Sequence, residues 1–329
     1  MNKVIFSPLY ELINEGQNLC ISLYDVFESN IFRDIDMTLI KGRIPLWIVD
    51  AGISPESGLG KVELERLISF NSNEITHKIL YGYDCETLVA TLQHRLSALK
   101  DLICHFFKYI SPNSQYEDKD YERGVRHMGE QATVCFTFLN SIFITLGSMF
   151  DILTKIAIEL ENISKDKIDF SKYPKFKSSC KLYGQKYLVN PKIFGDTIFD
   201  EPSIIRQAIT IRDEIIHNGS WDYKLAIYGG FKGDDYEEWI MMPDFENSGT
   251  FVSYKNRKRF YSKGDKMNVN LIPILIQIVE ITNNTISKLN TFYKIEDTPK
   301  KYDINSFSKE IKNWIVSFSK FIETNEYKA

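Results

Sequence analysis

The sequence predicts a mainly α-helical protein, an antiparallel helical bundle with an N-terminal helical extension and a small antiparallel β insertion. The first observation behind this prediction is that apolar residues recur at steps of three and four along most of the chain. The second is that glycine-containing turn signals separate short apolar runs between residues 221 and 266, which is typical of strands. The third is a composition of 43% hydrophobic and 26% charged residues over 329 residues, which is enough for a large core.

The first half of the chain contains three predicted helices. The first begins at Ser7 and keeps its apolar periodicity to Ile31. Ser54 is expected to cap a shorter helix that runs to Phe70. The third helix, over 84–109, is the clearest, because its leucine, isoleucine and phenylalanine side chains fall on one stripe.

A long helix is predicted over 126–161, and its centre is unusual. Residues 131–150 carry no charge and are numerous enough to span a membrane. This stretch also holds Gln131, Asn140 and several serines and threonines. Such groups are more stable in a protein core that can hydrogen-bond them than in lipid. We therefore expect a buried core helix and no membrane association.

The helix over 202–218 has the best-defined ends. Asp200 and Glu201 are expected to cap its start, and Asn218-Gly219 to end it. The elements that remain are the β insertion at 221–266 and helices at 269–293 and 304–324.

This order of elements predicts three parts. Residues 1–83 form the N-terminal helical extension, 84–295 the helical bundle with its β insertion, and 296–329 a C-terminal helix. No internal repeat or low-complexity linker separates them.

Charge and cysteine usage exclude several classes of protein. A net charge of −4 argues against a protein that coats nucleic acid through overall positive charge, so any such contact needs a local basic patch. The five cysteines are widely spaced and form no CxxC pair, which indicates a reducing compartment without a structural metal or a cofactor. The N-terminal apolar run is interrupted by Pro8 and Glu11 and does not make a secretory signal. We expect a cytoplasmic protein.

The helix over 202–218 carries the residues with the clearest chemical pattern. The sequence has no P-loop, GxGxxG, HExxH or GxSxG motif. Within this helix, Arg206, Thr210, Asp213 and His217 recur at steps of four, three and four and share one face. A carboxylate one turn before His217, together with the negative end of the helix dipole, favours the protonated imidazole and suits it to proton transfer.

Arg212 is a potential phosphate ligand on the same helix, but it does not share a face with His217. The two residues are separated by roughly 140° on a regular helix. The reach of the arginine, local unwinding at Asn218, or a second protomer across a two-fold axis could bring them together, and the last is the most economical. Asp151 interrupts the apolar helix before it and is expected to pair with a motif arginine or with Lys155.

The segment Arg-Asp-x-x-x-His, in a capped helix followed by Asn-Gly, resembles the Arg-x(4–6)-His motif of the HEPN superfamily. In that superfamily two long antiparallel helices precede the motif helix and a fourth packs after it. The helices predicted at 84–109, 126–161, 202–218 and 269–293 match this order.

The resemblance implies a HEPN-like bundle and a metal-independent endoribonuclease, often a toxin or abortive-infection effector in phage defence with an antitoxin partner. It acts as a homodimer and cleaves RNA by attack of the 2′-hydroxyl. On this template His217 moves the proton, Arg212 binds the scissile phosphate and Asp213 orients the histidine. The residues in supporting positions are Arg206, Thr210, Asp151 and Asn218.

Two alternatives stay open. The first is a catalytically inactive HEPN-like protein that binds a nucleotide or RNA or serves as a protein-interaction scaffold. The second is an unrelated helical module whose polar stripe makes only local salt bridges.

A basic and aromatic segment over 254–266 is a candidate RNA-binding surface. Cations interleaved with aromatic rings can bind phosphates and stack on bases of single-stranded RNA. A solvated hairpin edge protected by basic residues is an equally ordinary interpretation. The candidate residues are Lys255, Arg257, Lys258, Arg259, Phe260 and Tyr261.

Overall fold

The computed structural model describes residues 6–33, 46–70, 74–111, 126–176, 182–183, 190–232, 235–295 and 316. The prediction of a mainly α-helical fold is confirmed. The helices among these residues are α1 (Ser7–Ile31), α2 (Leu46–Val49), α3 (Lys61–Phe70), α4 (Glu74–Ile110), α5 (Glu130–Ser164), α6 (Ser203–Asn218) and α7 (Met267–Tyr293). The helix predicted at 304–324 lies outside the described residues, apart from Val316.

The helix expected from Ser54 to Phe70 is two elements. Ser54 accepts a hydrogen bond from the backbone of Glu56, but it caps only a single turn of 3-10 helix. Gly58 ends that turn with φ of +64°, a left-handed conformation that stops a helix. The chain therefore starts a new helix, α3, at Lys61.

The helix predicted from residue 84 begins earlier, at Glu74, and crosses the boundary that we placed at residue 83. Gly82 lies within α4, where a glycine costs about 1 kcal/mol relative to alanine. The adjacent side chains outweigh this, because Ile79 and Tyr81 are 2% and 1% exposed.

The uncharged stretch of α5 is a core segment. Ile142, Phe143, Leu146 and Met149 are fully buried, as expected for a helix surrounded by protein. By length and apolar composition alone, α5 and α7 could each cross a membrane, a test that core helices of soluble proteins also pass.

A small antiparallel sheet forms in the predicted β insertion, with one strand from outside it. The strands are β1 (Arg126–His127), β2 (Ile227–Lys232) and β3 (Asp235–Trp239), in the order β1-β2-β3. Residues 126 and 127 were predicted as the start of the long helix, but they pair with Ile227 and Tyr228. Residues 250–254, which also lie in the predicted β insertion, form isolated β-bridges and no strand in the part of the chain that the structure describes.

The chain divides into two compact units, which combine segments from different predicted parts. The first unit is drawn from Met1–Leu23, Val89–Ala157 and Ser179–Phe292 and contains α6, the sheet and most of α7. The second is drawn from Tyr24–Leu88, Ile158–Ser178 and Tyr293–Ala329.

Buried carboxylates mark the interior of the second unit. The Tyr81 hydroxyl donates to Glu159 at 2.7 Å, and the Tyr293 hydroxyl donates to Glu161 at 2.7 Å. Both glutamates are at most 3% exposed. Burial, with the adjacent carboxylates, raises the pKa of both tyrosines, so their hydroxyls stay protonated as donors.

Candidate functional site

Helix α6, in the first unit, carries the motif, and its ends differ. Pro202 precedes its first residue without a side-chain cap. Asp200, expected to cap α6, instead completes a capping box with Thr197 on a separate turn of 3-10 helix. The predicted end at Asn218-Gly219 is confirmed, because Gly219 has φ of +82° and its N–H donates to the Ile215 carbonyl.

The orientation of α6 is set by its apolar stripe. Ile205, Ala208, Ile211 and Ile215 are at most 6% exposed and hold one face against the core. His217 lies on the exposed surface, and no hydrogen-bond or ion-pair partner for it exists among the described residues.

Arg212 is held by two carboxylates. Its Nη1 donates to Asp213 Oδ1 at 2.9 Å and its Nη2 to Asp151 Oδ2 at 3.0 Å. Of the two partners predicted for Asp151, a motif arginine and Lys155, the arginine is observed. The other Asp151 oxygen accepts a hydrogen bond from the Leu182 amide at 2.9 Å. The guanidinium therefore ties α6 to α5 through directional, charge-assisted bonds.

The close approach of Arg212 to α5 depends on a glycine. A Cβ atom at Gly147 would lie 2.9 Å from Arg212 Cγ and 3.0 Å from its Nε. Only glycine leaves this path across α5 open without displacing the arginine. The Asp213 carboxylate bonds to Arg212, and the expected hydrogen bond from His217 to Asp213 is absent from the described contacts.

A cleft of about 600 Å³ opens beside the face of α6 that carries His217, and we call it the His217 cleft. It lies between α6 and the loop that includes residues 250–258. Its lining residues are Thr210, Asp213, Glu214, His217, Asn218, Thr250, Phe251, Ser253, Lys255 and Lys258. Arg212 does not line it, as the angular separation on α6 predicted.

Contacts at both ends of the loop hold it against α6 and the residues that follow. Gly249, with φ of +84°, approaches the helix so closely that a Cβ would lie 2.2 Å from the Ser203 carbonyl oxygen. The Gly249 carbonyl accepts a hydrogen bond from Thr210 at 3.1 Å. At the far end, Arg259 Nη1 donates to the Trp221 carbonyl at 2.6 Å and lies 3.4 Å from Glu214. Both ends of the cleft wall are therefore fixed.

Besides His217, the charged residues of the His217 cleft are two acids and two lysines. Each acid bonds to an arginine, Asp213 to Arg212, which Asp151 also binds, and Glu214 to Arg259. Lys255 and Lys258 have no carboxylate partner among the described residues. The cleft therefore offers two cations to an anionic ligand, although the whole chain is acidic.

The predicted supporting residues occupy different places. Thr210 and Asn218 line the cleft, and the Asn218 amide donates to Glu214 at 2.7 Å. Arg206 lies elsewhere on α6, where it pairs with Glu201 and stacks 4.4 Å above the Tyr183 ring.

The predicted RNA-binding segment is also divided by the structure. Lys255 and Lys258 reach the cleft, whereas Arg259 is used to brace the loop. Arg257 closes a tight turn through two backbone hydrogen bonds with Tyr254. Burial, with Asp222 nearby, raises the pKa of Tyr261, so its hydroxyl stays protonated.

A second cleft, of about 470 Å³, adjoins the first, and we call it the aromatic cleft. Phe260, the remaining predicted RNA contact, lines it. The full lining is Asp244, Phe245, Glu246, Asn247, Val252, Ser253, Tyr254, Phe260, Ser262 and Lys263. Ser253 belongs to both clefts.

Several residues that build these clefts were not predicted from the sequence. Gly249 was recognised only as part of an Asn-Ser-Gly turn, and Glu214 only as part of the motif helix. Asp244 carries no periodic signal, and Tyr254 was included only as the first residue of the basic and aromatic segment. A metal site is not supported, because no group of three His, Cys, Asp or Glu side chains comes together among the described residues.

Comparison of the chain with protein-family models, with the sequences of curated proteins and with solved structures finds no match in any of the three. The resemblance to the HEPN superfamily is therefore carried by the spacing of Arg212 and His217 and by the order of the helices. What the protein does must be inferred from the geometry of the His217 cleft.

Proposed function

We propose that the protein is a metal-independent endoribonuclease of the HEPN type. The observation that carries this proposal is the position of His217, an exposed imidazole in a cleft with two lysines that lack carboxylate partners. A group that can transfer a proton, beside cations that can contact the phosphoryl oxygens, suits cleavage of a phosphodiester.

The reaction uses the 2′-hydroxyl of the substrate as its nucleophile. Neutral His217 accepts the hydroxyl proton while the 2′-oxygen attacks the adjacent phosphorus. The bond from phosphorus to the 5′-oxygen breaks, and this oxygen takes a proton from the imidazolium of His217 in a second copy. The products are a 2′,3′-cyclic phosphate and a 5′-hydroxyl. Lys255 and Lys258 offset the negative charge that develops on the phosphoryl oxygens.

Arg212 has a different position from the one its HEPN role requires. It faces Asp151 and Asp213, so binding of the scissile phosphate would need its release from Asp151. In the proposed mechanism Arg212 acts as a positioning residue that holds α6 and neutralises Asp213. His217 and the two lysines remain the groups that contact substrate.

The test is cleavage of labelled total RNA and tRNA by the purified protein in EDTA. Substitution His217→Ala is expected to lower the rate by about 100-fold or more, the usual contribution of a general base. His94→Ala, which removes an exposed histidine of α4, is the matched control and should leave the rate unchanged. Products should end in cyclic phosphates. Cleavage that is abolished by EDTA or is indifferent to His217 would contradict the proposal.

The second candidate is a catalytically inactive HEPN-like protein that binds RNA or a nucleotide or serves as a protein scaffold. The ion pair of Arg212 with Asp151 favours it, because this contact occupies the arginine. Absence of cleavage by the wild type, with RNA binding that survives His217→Ala, would select this candidate.

The biological setting that we propose follows from the activity. An endoribonuclease that attacks cellular RNA must be restrained, so an antitoxin protein is the expected partner, and a toxin–antitoxin or phage-defence role in the cytoplasm is the expected context. A homodimer through α6 would supply the second His217. Ile216, which is 52% exposed on this helix, is available for such a contact.

A further inference from the structure

The aromatic cleft continues directly from the His217 cleft. Ser253 lines both, so a strand whose phosphate lies near Lys255 has a path into the second cleft. Tyr254 follows Ser253 and is 63% exposed, and Phe260 on the opposite stretch of chain is 37% exposed. Exposed rings in a cleft that adjoins a phosphate-binding surface are typical of single-stranded nucleic-acid sites.

The walls of the aromatic cleft are held by one buried residue. The backbone of Asp244 accepts a hydrogen bond from the Val252 amide at 3.0 Å and donates one to the Phe260 carbonyl at 2.7 Å. Its carboxylate accepts hydrogen bonds from Ser262 and from the Lys263 amide. The two stretches that carry Tyr254 and Phe260 are thereby fixed before any ligand arrives, which lowers the entropy lost on binding.

The polar rim of the aromatic cleft includes a carboxylate that could distinguish one nucleobase from another. Glu246 is exposed, and its carboxylate has no partner among the described residues. A carboxylate only accepts hydrogen bonds, so it matches the exocyclic amino group of cytosine, adenine or guanine. Uracil lacks this group, and its single N3–H donor lies between two carbonyl oxygens that a carboxylate repels. The volume of about 470 Å³ lies within the range of small-ligand sites.

We propose that the aromatic cleft is a nucleobase subsite that stacks a base on Tyr254 and Phe260 and prefers an amino-bearing base to uracil through Glu246. This inference rests on the proposed function, because the bound RNA strand is what would connect the two clefts. It assigns the substrate as single-stranded RNA with cytosine, adenine or guanine next to the scissile phosphate.

The test measures binding without cleavage. The probes are short, fluorescein-labelled oligocytidine and oligouridine strands with 2′-O-methyl groups, which have no free nucleophile. Tyr254→Ala and Phe260→Ala should each raise Kd for oligocytidine by about 5- to 150-fold, the range for loss of one stacking platform. Tyr254→Phe keeps the ring and should bind like the wild type. Tyr223→Ala, which removes an 89% exposed tyrosine outside both clefts, is the matched control.

Base selection is tested separately with Glu246→Gln. The wild type should bind oligocytidine more tightly than oligouridine, and this variant should reduce the difference, because an amide presents a donor as well as an acceptor. Equal affinity of the wild type for both strands would overturn the role of Glu246. Circular dichroism melting of each variant confirms that the fold is retained.

The outcomes separate the subsite from the ribonuclease. Binding that depends on Tyr254 and Phe260, in a protein that cleaves no RNA, supports the subsite and overturns the proposed activity. Cleavage that depends on His217, with binding indifferent to both rings, overturns the subsite alone. Absence of binding by the wild type also overturns it.

Discussion

The two sides of α6 differ in what faces them. On the side of Arg212, two carboxylates and the α5 backbone at Gly147 enclose the guanidinium, which is 17% exposed. On the side of His217, a cleft of about 600 Å³ leaves the imidazole and two lysines open. Both residues belong to one short motif, yet Arg212 is enclosed by ion pairs and His217 is open to solvent. The spacing of the motif therefore predicts that both residues lie on one helix. The contacts on each face of that helix determine which of the two is free to bind a ligand.

The largest stability effect is expected on the open side, from Gly249→Ala. The added Cβ would lie 2.2 Å from the Ser203 carbonyl oxygen, and the residue would have to keep φ of +84°. Backbone overlap and the left-handed conformation together should lower the free energy of unfolding by about 2–4 kcal/mol, as measured by urea denaturation. Gly264→Ala is the control, because its φ is +69° but its Cβ meets nothing within 4 Å. Equal losses in both variants would show that the loop does not dock on α6.

The closed side should respond to loss of Arg212 mainly through stability. Arg212→Ala removes the guanidinium that bonds to both Asp151 and Asp213, and should lower the free energy of unfolding by about 1–2 kcal/mol. A double-mutant cycle with Asp151→Asn should give a coupling energy of at least about 0.5 kcal/mol. Arg206→Ala, which breaks a more exposed pair with Glu201, is the control and should cost less.

The same variants also test the contrast in chemistry. Cleavage by Arg212→Ala should fall less than cleavage by His217→Ala when both are assayed below the melting temperature. If Arg212→Ala lost as much cleavage activity as His217→Ala while its stability was retained, the contrast would be contradicted. Arg212 would then be expected to bind the scissile phosphate.

The contribution of the two cleft lysines should be visible in the salt dependence of RNA binding. Each phosphate contact to a single strand contributes about 0.7 to the slope of log K against log salt. The double substitution Lys255→Ala with Lys258→Ala should therefore reduce that slope by about 1.4, as measured by fluorescence anisotropy. Lys192→Ala removes an exposed lysine outside both clefts and should leave the slope unchanged. A slope insensitive to the double substitution would place the RNA elsewhere.

The features of this arrangement that depend on residues close together in the sequence could be predicted from it. The helices follow from side-chain periodicity, which is a property of neighbouring residues, and the end of α6 follows from Asn218-Gly219. That Asp151 needs a cation could also be predicted, because it follows a long uncharged run, but the choice between Arg212 and Lys155 could not. The predicted helix starts were wrong where one residue could cap either of two successive turns. Asp200, for example, caps an earlier turn of 3-10 helix and not α6.

The clefts could not be predicted from such local patterns, because segments that are far apart in the sequence form them. Strand β1 pairs with β2 across a long stretch of chain, and the docking of Gly249 on Ser203 has no periodic signature. The basic segment could be identified by composition, but its division into cleft lysines and a bracing Arg259 depends on where the Trp221 carbonyl lies.

A smaller effect is expected on the closed side from Gly147→Ala. In the wild type the added Cβ would lie 2.9 Å from Arg212 Cγ, so the arginine must move and its ion pairs weaken. In the Arg212→Ala background that obstacle is gone, and alanine in a helix is favoured over glycine by about 0.5–1 kcal/mol. The substitution should thus destabilise the wild type and stabilise the variant, as followed by urea denaturation. The same sign in both backgrounds would mean that Arg212 does not lie on Gly147.

The smallest effect concerns Asp244, which fixes the wall of the aromatic cleft on the open side. Burial alone would raise the pKa of this carboxyl, but hydrogen bonds from Ser262 and Lys263 and the charge of Lys263 hold it below the usual value of 3.8. A carboxyl whose pKa is lower in the folded state stabilises the fold at neutral pH, and this contribution is lost as pH falls from about 4 through the folded-state pKa. Asp244→Asn should therefore reduce the acid-side fall of the melting temperature and lower stability at pH 7. Half-buried Asp222, whose carboxylate accepts a hydrogen bond from the Lys224 amide, supplies the comparison through Asp222→Asn. An unchanged acid limb in Asp244→Asn would show that the wall of the cleft is held by its backbone bonds to Val252 and Phe260 and not by the carboxylate.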